Sequence, residues 1–124
     1  MIAMAAGWHS DGRGWHERRD GATFVLTRRL PLRWDVWAQT VLPDLGRRRL
    51  AHAIRQDLWR ALRSLRGFAP AVEVTRDGRL CRVRAGGSVA GRIPGGVSER
   101  IAAFLEDPGR RRAWQRSATH RRSQ

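Results

Sequence analysis

Between Pro43 and Gly67 the chain places Leu50, Ile54, Leu58, Ala61, Leu62 and Leu65 at the helical period. At about 100° per residue these six side chains cover an arc of about 120°. Arg48, Arg49, Arg55, Arg60, Arg63 and Arg66 occupy the opposite arc, with Trp59 and His52 near its middle. Asp57 falls near the apolar edge, so the basic face is expected to hold no acid. Pro43 and Asp44 supply a start signal and Gly67 a stop, which predicts a helix over 44–66. An apolar stripe of this kind must be buried against a second layer.

The remaining segments are read as that layer. Residues 22–30 are β-branched and apolar enough for a strand, stopped by Pro31. Over Leu32–Leu42 the spacing of Trp34, Trp37, Ala38 and Val41 predicts a short helix. Asp77-Gly78 is a two-residue hairpin signal, because a type I′ turn needs positive φ at both central positions. That turn sets Arg76 opposite Arg79, Val74 opposite Cys81, Val72 opposite Val83 and Glu73 opposite Arg82. Val72, Val74, Cys81 and Val83 then share one apolar face, which buries Cys81 as an inert thiol. A third strand is expected from Val89 to Ile93 after Gly86-Gly87-Ser88. A short helix follows from a Ser98 cap, with Ile101, Phe104 and Leu105 on one side, and Pro108-Gly109 ends it.

The fold expected from these pieces is α+β: one long amphipathic helix on a small antiparallel sheet of three or four strands, with a short C-terminal helix. Residues 1–21 are read as a flexible lead, 22–107 as a single domain and 108–124 as a flexible Arg-rich tail. A chain of 124 residues holds one core of ordinary size.

Charge narrows the function classes. The protein carries 25 basic residues against 11 acidic ones, a formal net charge of +14. Every basic residue is Arg; Lys, Asn and Tyr are absent, a pattern that fits a GC-rich genome. Codon bias accounts for Arg in place of Lys but not for the excess of base over acid. The excess is uneven: +5 lies in residues 43–70 and +6 in residues 108–124, with +2 before them and +1 between. A polyanionic or strongly acidic partner is expected.

Catalytic constellations are not evident. One cysteine, Cys81, excludes an intrachain disulfide and any multi-cysteine metal site. No serine sits in a nucleophile elbow, and there is no phosphate loop or dinucleotide fingerprint. Glu106 and Asp107 are adjacent at a helix end, where they serve a turn better than proton transfer. The near-repeat Gly7-Trp8-His9 and Gly14-Trp15-His16, with Asp11 and Glu17 nearby, lacks a third strong metal ligand at fixed spacing. The reading is therefore a binding protein without cofactor or metal, not an enzyme. The apolar run at Met1–Gly7 is too short for a signal segment and lacks a basic flank, and a cytoplasmic location is expected.

Nucleic acid, RNA ahead of DNA, is the first expected partner. Its candidate contacts are Arg48, Arg49, Arg55, Trp59, Arg60, Arg63 and Arg66 on the helix, with Arg110, Arg111, Arg112, Trp114 and Arg116 in the tail. Guanidiniums neutralise phosphates and indoles stack on unpaired bases. The expected order of helix, three strands and helix over 44–107 is similar to that of the double-stranded RNA-binding domain. That family opens its second helix with lysines that grip phosphates. The matching stretch here, Val97-Ser98-Glu99-Arg100, offers one Arg and an acid, so no site is carried over. The alternative partner is an acidic protein, docked through Arg and Trp, since Trp8, Trp15, Trp34 and Trp37 lie outside the basic segments. Attachment to anionic lipid ranks last, because the apolar stripe is needed for the core.

Overall fold

The computed structural model describes residues 7–119. Met1–Ala6 of the expected lead and residues 120–124 of the expected tail lie outside the described residues. In chain order the elements are β1 (His9–Ser10), β2 (His16–Asp20), β3 (Thr23–Thr27), β4 (Val36–Pro43), α1 (Arg47–Ala61), β5 (Phe68–Asp77), β6 (Leu80–Val89), α2 (Val97–Leu105) and α3 (Pro108–Ala118). The six strands form one antiparallel sheet in the order β1-β2-β3-β5-β6-β4. This overturns the expected small sheet of three or four strands beneath one long helix. It also removes the helix–three strands–helix order, since only β5 and β6 stand between α1 and α2.

Three helices cover one face of the sheet. Leu50, Ile54 and Leu58 of α1 are fully buried against β5, β3 and β6, where Phe24, Leu26, Val72, Val74 and Val83 meet them. The apolar stripe read from the sequence is therefore the centre of the core. Helix α1 is shorter than expected: Gly46 precedes it, and Leu62 ends it by donating its N–H to the Leu58 carbonyl. Leu62 and Leu65 stay buried in the turns that follow. Helix α2 lies on β4 and seats Val97, Ile101, Phe104 and Leu105 in the same core.

The segment over Leu32–Leu42 is mostly strand, not helix. Val36, Thr40 and Leu42 are buried while Trp37, Gln39 and Val41 are exposed, the alternation of a strand packed on one side. Strand β4 pairs with β6 from Val36↔Gly87 to Pro43↔Leu80. The tryptophans that suggested a helical face point the other way, and Trp34 and Trp37 both lie against the guanidinium of Arg84.

The β5–β6 hairpin forms, with a register two residues removed from expectation. Its turn is Gly78-Arg79, and the pairs are Asp77↔Leu80, Val74↔Val83, Glu73↔Arg84 and Val72↔Ala85. Gly78, at φ +63°, accepts the backbone that the turn imposes. Because side chains alternate with period two, the shift leaves Val72, Val74, Cys81 and Val83 on the buried face. Glu73 pairs with Arg84 at 3.2 Å and Arg82 with Asp77 at 2.8 Å, in place of the expected Glu73–Arg82 pair.

No third strand follows Gly86-Gly87-Ser88; β6 runs through them to Val89. A Cβ at Gly86 would overlap the Val36 carbonyl oxygen, so the glycine is required for β4 to close on β6. The ends of the chain also differ from the expected lead and tail. Residues 9–20 supply β1 and β2, and β2 pairs with β3 along its whole length. Residues 108–118 form α3, which Asp107 caps by accepting from Arg110 N–H, with Pro108 at the first turn.

Gly86→Ala is expected to lower stability by about 1–3 kcal/mol or more through overpacking. Gly95→Ala, with open space around it, should stay within about 0.5 kcal/mol. Urea midpoints of the two variants check the comparison.

Candidate functional site

The twelve sequence-derived site residues separate into structural and solvent-facing groups. Trp114 is 1% exposed, packs 5.3 Å from Phe104 and donates its indole N–H to Asp57 at 2.8 Å. It holds α3 on α1, and no base can reach its ring. Arg111 is also structural. Its guanidinium donates to the Thr40 hydroxyl at 2.8 Å, the Leu105 carbonyl at 3.0 Å and the Val41 carbonyl at 2.7 Å. The last of these occupies the outer edge of β4, where the Trp37 N–H likewise donates to the Ser98 hydroxyl. Arg110 lies over the Phe104 ring, and Arg60 stands 4.0 Å from Asp57.

Arg49, Arg63, Arg66, Arg112 and Arg116 are exposed, and Trp59 is 46% exposed. The remaining two, Arg48 and Arg55, join residues of the supposed lead. Strand β2 directs Glu17 toward α1, where it accepts two hydrogen bonds from Arg48, each 3.0 Å, and one from His52 at 2.7 Å. The face expected to hold no acid therefore receives one from 31 residues away. Burial would raise the Glu17 pKa, but the bonds from Arg48 and His52 outweigh it and hold the carboxyl below its ordinary 4.5.

Trp15, preceding β2, has two guanidiniums over its ring, with Arg55 4.7 Å and Arg28 5.7 Å from the ring centre. Arg55 enters this stack with its Nε buried and unbonded. Burial lowers its pKa, and Arg13 and Arg28 add to the effect.

Two open hollows result on either side of Arg48. One, of about 300 Å³, is lined by Arg19, Arg47, Arg48, Arg49 and Arg76 at the start of α1. The other, of about 360 Å³, is lined by Asp11, Arg13, Arg48, His52 and Arg55. The first turn of α1 carries Arg47, Arg48 and Arg49 and no acid. Cations at that end oppose the helix dipole, so the turn concentrates positive potential. Sequence reasoning missed Arg13, Arg19 and Arg28, because their places depend on the pairing of β2 with β3, and it passed over Arg47, which opens α1 beside Arg48.

Among the described residues no group of three or more His, Cys, Asp and Glu side chains is placed to hold a metal ion. Among them, too, no helix is long and apolar enough to cross a membrane. Comparison with protein-family models, with curated proteins and with solved structures found no match to this chain.

Two outcomes follow from these contacts. Trp114→Phe should cost about 1–3 kcal/mol, because Asp57 loses its donor, measured as a shift in the urea midpoint. The lowered Glu17 pKa contributes stability that is complete above the ordinary 4.5 and is lost as pH falls through the folded value. Glu17→Gln should therefore flatten the stability–pH curve on its acid side, as followed by urea titrations from about pH 6 to about pH 3.

Proposed function

We propose that the protein binds nucleic acid, RNA ahead of DNA, across the N-terminal half of α1. The observation that carries this reading is the gathering of Arg13, Arg19, Arg47, Arg48, Arg49 and Arg55 around the first turns of one helix. Guanidiniums match phosphate oxygens in forked geometry, and the helix dipole adds to the attraction. Trp59 is exposed on the same helix, ten residues beyond Arg49, or about 15 Å along the axis. A single strand can lay phosphates on the arginines and an unpaired base on that indole. The exposed arginines of α3, Arg112 and Arg116, extend the field. The role proposed is binding rather than catalysis, in a reducing compartment such as the cytoplasm, where the buried Cys81 thiol stays reduced.

A second reading has its own observation. Trp37, Val41 and Leu80 are 40%, 44% and 48% exposed, and strand alternation places all three on the sheet face away from the helices. Such a face suits a protein partner.

Binding of a single-stranded oligoribonucleotide is expected to weaken with salt at a log–log slope of about −4 if six phosphates are neutralised. Replacing Arg19, Arg47 and Arg49 together by Gln should reduce that slope by about two units. An unchanged slope and affinity in the triple variant would remove the helix surface from consideration and leave the sheet face with Trp37.

A further inference from the structure

The hollow on the β2 side of Arg48 is built more tightly than the cleft at the start of α1. Asp11 fixes one wall: its Oδ1 accepts from Arg13 N–H at 2.7 Å and Trp15 N–H at 3.1 Å, while its own N–H donates to the Trp15 carbonyl at 3.0 Å. The turn over 11–15 therefore sets Arg13 opposite α1. Glu17 fixes the second wall by holding Arg48 through Nε and Nη2, which leaves Nη1 to a ligand. Trp15 fixes the third wall by stacking on Arg55. The guanidiniums of Arg48 and Arg55 are oriented before any ligand arrives, which reduces the ordering cost of binding.

The charge of the cluster selects the ligand. Four guanidiniums, those of Arg13, Arg28, Arg48 and Arg55, stand against the two carboxylates of Asp11 and Glu17 and leave an excess of two positive charges. A backbone phosphodiester carries one negative charge and two non-bridging oxygens. A phosphate monoester carries between about −1.5 and −2 at neutral pH, with three terminal oxygens. A monoester also ends the chain on one side, whereas an internal phosphate must leave the hollow in two directions.

We propose that this hollow, formed by Arg13, Arg48, His52 and Arg55, receives the terminal phosphate monoester of a nucleic-acid strand, an inference that rests on the nucleic-acid reading above. The strand then runs from its phosphorylated end across Arg48 to the cleft lined by Arg47 and Arg49. The site makes the protein a reader of strand ends as well as of backbone charge.

The test uses one short oligoribonucleotide in three forms: 5′-monophosphate, 3′-monophosphate, and hydroxyl at both ends. Fluorescence anisotropy at fixed salt with the full chain gives three dissociation constants. One phosphorylated form is expected to bind about tenfold more tightly than the hydroxyl form, the effect of one to two charge-assisted hydrogen bonds. Arg13→Gln, at an exposed position on the turn, should bring that ratio to about one; the hydroxyl form also weakens, because one of the six backbone-binding charges is lost, so the ratio and not the absolute affinity is the readout. Equal binding of all three forms to the unaltered protein would overturn the end-reading site and leave the nucleic-acid reading in place. Absence of binding by any form would overturn both. A tenfold preference that survives in Arg13→Gln would also overturn the proposal, by placing the phosphate elsewhere.

Discussion

Burial of the α1 stripe against the sheet is the constraint on which the other contacts depend. Leu50, Ile54 and Leu58 have no solvent exposure, and the strands beneath them come from both halves of the chain. Once that stripe is down, the outward side of α1 is fixed in rotation. Arg48, His52 and Arg55 then face β2, Asp57 faces α3, and Arg49 with Trp59 face solvent. Turning the helix by one residue would break the Glu17 bridge, the Trp15 stack and the Trp114 hydrogen bond together. The packing of the interior thus arranges the charges of the surface.

Much of the local structure was legible in the sequence, and the failures have physical causes. The α1 stripe and the faces of the β5–β6 hairpin could be read because each depends on periodicity within one segment. The hairpin register was missed because Gly78 fits either of two turns, and a two-residue slip preserves every face. Trp34, Trp37 and Val41 recur at helical spacing by coincidence, while the strand signal of Val36, Thr40 and Leu42 is diluted by a buried Thr. Pro108-Gly109 reads as the end of one helix, although the Asp107 cap followed by proline equally starts another. Trp114 and Ala118, four residues apart, are the buried pair that would have revealed α3.

The candidate site was less legible than the fold. Its helix residues were in view, but Arg13, Arg19 and Arg28 come from the N-terminal strands and their turns, whose place is set by strand pairing. No local pattern signals that Glu17 will meet Arg48 and His52. Charge counted along the chain located the excess correctly on α1 and α3, yet could not separate arginines that hold the protein together from those that face a ligand. Arg111 is the clearest case: it lies in the most basic stretch of the sequence and spends its donors on three oxygens of the protein itself.

The position of Arg111 bears on how the chain is made. Strand β4 borders the sheet for eight residues, and a border of that length is a template on which another chain can grow. At Trp37, Val41 and Pro43 the outward edge is stopped, by the Ser98 hydroxyl, by the Arg111 guanidinium and by the proline ring. Two of these three stoppers lie on the last two helices. During synthesis from the N-terminus, all six strands leave the ribosome before either helix is complete. Until α2 and α3 are made, the Trp37 N–H and the Val41 carbonyl lack the side-chain partners that close them in the folded chain.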